Sequence, residues 1–70
     1  MSATLFGQLM EHIIHALEKN GYDPYKQLIG YLKTGNPAYI TRQDEARTLI
    51  RQLDKSTVQR YIETRYKNSK

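Results

Sequence analysis

Four cations, Arg42, Arg47, Arg51 and Lys55, follow one another at intervals of five, four and four residues. Guanidinium groups bind carboxylates through two parallel hydrogen bonds, so a row of them suits an acidic surface on a protein partner. The same charges could contact phosphates, with the last two helical segments acting as a helix-turn-helix on nucleic acid. Against that second reading, the connection at Leu53-Asp54 is tight and lacks glycine. Its recognition helix would open on Lys55-Ser56-Thr57 and carry Glu63 in its middle. A plain solvated face is the third reading of the same residues.

Other chemistry is sparse. His12 and His15 are three apart and share one side of a helix, but no third or fourth metal ligand lies near them. They read as histidines flanking a core stripe, and no metal or other cofactor is expected. Asp44 and Glu45 are adjacent and suit a helix N-terminus rather than paired acid-base work. There is no G-x-S-x-G, no H-E-x-x-H and no phosphate-cradling glycine loop. The expectation is a binding protein, not an enzyme.

The elements that must hold these groups are helical throughout. Leu5, Phe6, Leu9, Met10, Ile13, Ile14 and Leu17 recur at helical spacing, predicting a first helix from about Thr4 to Asn20. Ser2 or Thr4 would cap it, and Gly21 would end it with Tyr22 folding back onto the stripe. Asp23-Pro24 opens a second helix, with Tyr25, Leu28, Ile29 and Leu32 on its apolar face and Gly35 at its end. Gly30 inside that helix costs about 1 kcal/mol against alanine, which points to the close approach of another backbone. Asn36-Pro37 begins a short helical turn that tucks Tyr39 or Ile40 into the core. Thr41 to Asp44 imitates a capping box for a third helix, which buries Ala46, Leu49, Ile50 and Leu53 and projects Arg47 and Arg51 outward. Asp54 caps a fourth helix that runs to about Lys67, followed by the frayed tail Asn68-Ser69-Lys70. The predicted fold is all-α: a single domain over residues 1–70, a compact bundle of four main helices plus one helical turn.

Size and charge bound the partners. A chain of 70 residues without cysteine has a thin core and no disulfide or thiolate metal site to support it. Self-association is the remaining supplement, so a homodimer is expected, with Tyr25, Gly30, Tyr31 and Tyr39 as residues of its seam or of the core edge. The net charge of +4 lies wholly in residues 42–70, where eight Lys and Arg face four Asp and Glu. That excess invites an acidic protein or nucleic acid. No apolar run approaches the roughly 18 residues of a spanning helix, and no signal peptide is evident. A cytoplasmic location is expected.

The central stretch carries a resemblance. Leu17-Glu18, Gly21-Tyr22, Pro24, Gln27-Leu28-Ile29-Gly30-Tyr31, Gly35, Pro37-Ala38-Tyr39-Ile40, Arg42, Ala46-Arg47 and Ile50-Arg51 follow the pattern of the IreB family of small regulatory phosphoproteins, which they resemble. The likeness is strong over residues 17–53. It implies a compact, dimeric, all-helical cytoplasmic protein without enzymatic activity, phosphorylated by a membrane Ser/Thr kinase. It further implies a part in cell-wall synthesis and antibiotic resistance, through Clp-dependent turnover of a peptidoglycan-synthesis enzyme. The family's important arginines map onto Arg42, Arg47 and Arg51, and onto Lys55 where the family has arginine. Thr41 stands where the family has proline. Family members carry phosphoacceptor threonines on an arm ahead of the first helix, and Thr4 does not match them. The expectation is a basic row permanently open to its partner.

Overall fold

A computed structural model describes residues 5–67, which form four α-helices. They are α1 (Leu5–Lys19), α2 (Pro24–Thr34), α3 (Ala46–Arg51) and α4 (Lys55–Lys67). Two 3-10 turns, Pro37–Tyr39 and Gln43–Glu45, lie between α2 and α3, and no strand occurs among the described residues. The all-α expectation holds. The caps expected of Ser2 or Thr4 and the tail Asn68-Ser69-Lys70 fall outside the described residues.

The helices form where apolar positions recur every three or four residues, and Gly21, Asp23, Gly35 and Asp54 close the ends beside them. The stripe of α1 places Met10, Ile13, Ile14, Ala16 and Leu17 in the core. Gly21, at φ 86°, turns the chain back. Its amide donates to the Glu18 carbonyl at 3.0 Å, and the Tyr22 amide donates to the Leu17 carbonyl at 2.9 Å. This pair satisfies carbonyls that a helix end otherwise leaves open. The Tyr22 ring does not follow its backbone onto the stripe; it stays 47% exposed.

Asp23 caps α2 as expected, its Oδ1 accepting from the amides of Tyr25 at 3.1 Å and Lys26 at 3.4 Å. Pro24 fills the first helical position, where a missing amide costs nothing. Gly35, at φ 73°, closes the helix, its amide donating a hydrogen bond to the Tyr31 carbonyl at 2.7 Å. Asp54 caps α4 by accepting from the Thr57 amide at 2.9 Å and the Thr57 hydroxyl at 3.0 Å.

The third helix departs from expectation. The capping box at Thr41 does not form. Thr41 Oγ1 instead accepts from the Gln43 amide at 3.2 Å, two residues on, and α3 begins only at Ala46. Asp44 (φ 55°) and Glu45 (φ 62°) are both left-handed, a conformation that costs non-glycine residues of order 1 kcal/mol each. Distant partners hold the first of them there. Lys19 Nζ lies 3.0 Å from Asp44 Oδ2, and His12 Nε2 donates to the Asp44 carbonyl at 2.8 Å. Of the four residues expected to be buried by this helix, Ala46 and Ile50 are buried, while Leu49 and Leu53 are only half-buried.

The core draws on every helix and on one residue between them. Ile40, just past the Pro37 turn, is fully buried in one cluster with Leu17, Leu28, Ile50, Val58 and Ile62. At roughly 1.5–3 kcal/mol for a large apolar side chain taken wholly out of water, that one residue ties the turn to the bundle. The main helix contacts are α1 on α3 and α2 on α4.

Candidate partner-binding surface

The segment from Gly35 to Arg42 crosses from the end of α2 toward α3 as a strap, and its anchoring explains where the basic residues sit. Asn36 Oδ1 accepts from the Ala38 amide at 2.9 Å, and Pro37 presets the turn. The strap is then held from both sides. Gln27 on α2 donates Nε2 to the Tyr39 carbonyl at 2.7 Å, and Arg47 on α3 donates Nε to the Ile40 carbonyl at 2.9 Å. The Tyr39 ring lies across Gly30. A Cβ at position 30 would stand 2.6 Å from both Tyr39 Cδ1 and Cε1. The close approach inferred for Gly30 is real, but a side chain nine residues downstream makes it, not another backbone.

The four cations therefore have unequal freedom. Arg42 and Arg51 are exposed. Arg47, expected to project outward, is half-buried and commits its Nε to the strap. Lys55 is exposed, with its ammonium 5.6 Å from the centre of the Tyr31 ring. It also sits 3.6 Å from the point where a Cβ on Gly35 would stand. The cations thus gather round the strap: Lys55 at Gly35 where it begins, Arg47 at Ile40, and Arg42 two residues on. Arg51 lies one turn beyond Arg47 on the same side of α3. Lys55 is the first residue of α4, at the positive end of the helix dipole, where a cation is locally unfavourable. The Tyr31 face offsets part of that cost. A charge placed against local preference is a functional candidate.

The aromatic candidates also separate. Tyr31 is 4% exposed and belongs to the core, not to its edge or a seam. Tyr39 is 38% exposed and covers Gly30. Tyr25 is exposed, and its ring centre lies 5.1 Å from that of Tyr66.

Two clusters had no signal in the sequence because their members are far apart. In the first, Lys19 holds the Asp44 carboxyl below its ordinary pKa, chiefly by donating a hydrogen bond to it. His12 belongs to this cluster through the Asp44 carbonyl. No group of three His, Cys, Asp or Glu suited to a metal ion occurs among the described residues. In the second, Glu11 Oε2 accepts from the Tyr61 hydroxyl at 2.5 Å and from Arg65 at 2.7 Å, bridging α1 and α4. Burial, then the bond to Glu11, pushes the Tyr61 hydroxyl up to about 12. No described helix is long and apolar enough to cross a membrane.

The model of the IreB regulatory phosphoprotein family matches residues 2–67. The likeness read from residues 17–53 thus extends over nearly the whole chain. Nine of the residues that carry it have local roles in two places of the structure. Gly21, Pro24, Gly35 and Pro37 shape joints, while Gln27, Gly30, Tyr39, Ile40 and Arg47 build and fasten the strap.

Proposed function

The chain belongs to the IreB family of regulatory phosphoproteins, and from that premise we propose that it regulates by binding a protein partner through the cations around the strap. Arg42, Arg51 and Lys55 meet carboxylates of the partner directly. Arg47 keeps the strap in place and offers its remaining guanidinium nitrogens beside them. The observation that carries this reading is the gathering of exposed cations round one anchored segment, with Lys55 at a helix start that disfavours it. Charge-assisted contacts of this kind give specificity and a fast, salt-sensitive approach.

The wider role in this proposal is taken from the family. The protein acts without catalysis in the cytoplasm, as a homodimer, in Ser/Thr-kinase-linked control of cell-wall synthesis and antibiotic resistance. It serves there as an adaptor for Clp-dependent turnover of a peptidoglycan-synthesis enzyme. The test is a pull-down that identifies the partner, followed by titration of purified partner against the parent and an Arg42→Ala, Arg51→Ala, Lys55→Ala variant. The variant is expected to lose at least about 2 kcal/mol of binding. Equal affinity for parent and variant would refute the reading. Retention of nucleic acid, lost steeply with added salt, would support the helix-turn-helix alternative instead.

A further inference from the structure

A second surface lies away from the strap. Phe6 of α1 and Thr57, Arg60, Tyr61, Thr64 and Arg65 of α4 line an open groove of about 440 Å³. Thr57, Arg60, Tyr61 and Thr64 recur at intervals of three and four and so form one face of α4. At about 100° per residue, Thr64 lies half a turn round the helix from Lys55, so the groove and the strap cations face different ways.

The floor is aromatic and fixed. The Phe6 and Tyr61 rings meet edge to face, 5.7 Å between centres and 73° between planes. The Tyr61 hydroxyl is tethered to Glu11, so little ring motion is left to freeze when a ligand arrives. The charges at the rim are unequal. Arg65 is neutralised by Glu11 at 2.7 Å. Arg60 is exposed and forms no ion pair among the described residues, its charge bearing only weakly on the Asp54 carboxyl. Glu63, the acidic residue of α4, is turned elsewhere and accepts from Gln59 at 3.0 Å. The groove therefore offers an apolar seat beside one open guanidinium.

We propose that this groove docks a short acidic peptide segment of another protein. One aromatic or aliphatic side chain sits on Phe6 and Tyr61, and a neighbouring carboxylate pairs with Arg60. The lined face of α4 runs for roughly 10 Å, which matches about three residues of extended chain. Nucleic acid fits less well, because its affinity comes from several cations along a phosphate backbone and the groove presents one. The proposal does not depend on the strap surface, and its test separates the two.

The probe is a fluorescent peptide, Glu-Asp-Phe-Asp-Glu, titrated at physiological salt by anisotropy and by amide chemical shifts of isotope-labelled protein. Three controls accompany it: the same peptide with Phe replaced by Ala, one with every acid replaced by Lys, and a single-stranded thymidine oligomer. The acidic Phe peptide is expected to bind at least about tenfold tighter than each control, with shifts confined to the Phe6 and α4 face. Arg60→Glu, at an exposed position, should lose about tenfold while keeping the helical spectrum, and Arg51→Ala should bind as the parent does. The proposal is overturned if the Ala peptide binds equally, if the thymidine oligomer displaces the probe, or if the shifts map to Arg42, Arg51 and Lys55. It is also overturned if the groove signals move with protein concentration alone, which would place a second copy of this chain there.

Discussion

Replacing Gly30 with alanine should destabilise the protein, although the same change in an ordinary helix interior stabilises it by about 1 kcal/mol. The new methyl group would stand 2.6 Å from Tyr39 Cδ1 and Cε1 and 3.1 Å from Cγ. Ordinary carbon contacts lie near roughly 3.5–4 Å, so the ring must retreat by about 1 Å. It cannot do so freely, because the contact includes the root of the ring as well as its edge. The Tyr39 carbonyl is held by Gln27, and the following side chain, Ile40, is fully buried. Overpacking of this kind costs about 1–3 kcal/mol, which exceeds the helix-propensity gain and leaves a net loss of about 1 kcal/mol. In a domain of this size that lowers the melting temperature by about 4–8 °C. Urea denaturation followed by circular dichroism measures the change directly. The decisive comparison is a double-mutant cycle with Tyr39→Ala. Once the ring is gone, Gly30→Ala should become stabilising by about 1 kcal/mol, a change of sign that no general weakening of α2 could produce. If Gly30→Ala stabilises the parent protein, the placement of the Tyr39 ring over α2 is wrong, and with it the account of the strap.

Three further outcomes are expected. Arg47→Ala should lose about 1–2 kcal/mol in the same denaturation assay, because the Ile40 carbonyl is left without its donor, while Arg51→Ala stays within about 0.5 kcal/mol of the parent. The carboxyls of Asp44 and Asp54 are both depressed below 3.8, by the Lys19 hydrogen bond and by the Thr57 amide respectively. Their contribution is therefore fully present above that pH and lost as pH falls through the folded values, so Asp54→Asn, which keeps a capping oxygen, should flatten the acid limb of a stability profile measured below about pH 5. Tyr61, raised to about 12 from 10.0, keeps its proton in the folded chain after the unfolded chain has ionised. Its contribution to stability should be full below about pH 10 and fall as pH rises toward about 12, and ultraviolet titration of Tyr61→Phe against the parent should show the loss of a phenol that ionises near 12.

The joints of this fold were legible in its sequence, and the reason is distance. Asp23, Gly21, Gly35 and Asp54 satisfy amides or carbonyls within a turn or so of themselves, so the chemistry that places them is local. Thr41 had the same local credentials and failed. Asp44, which should have completed its box, is instead engaged by Lys19 and by His12, the latter 32 residues away in sequence. A helix start can be read from sequence only when no tertiary partner competes for the same residue. Gly30 shows the intermediate case. Its cost in a helix announced a close contact, but nothing local named Tyr39 as the group that makes it. The Glu11, Tyr61 and Arg65 cluster had no local trace, since its members meet across 50 and 54 residues.

Arg47 joins the two halves of the problem. Its spacing on α3 marked it as a partner-binding cation, and its geometry makes it a structural one. The two roles need not compete, because a guanidinium has about five donors and the Ile40 carbonyl takes only one of them. A lysine there carries its three donors on one nitrogen, so while bonding the strap it could not present a planar, two-bond edge to a carboxylate. At position 55 the demand is different. The neighbour is the face of Tyr31, and a point charge suffices. Lysine in place of arginine is thus physically tolerable at position 55 and not at 47. Arg47→Lys should accordingly lose both strap stability and partner affinity, whereas Lys55→Arg should keep the fold and bind the partner at least as tightly. An Arg47→Lys variant that matched the parent in both assays would separate the strap from the proposed binding surface.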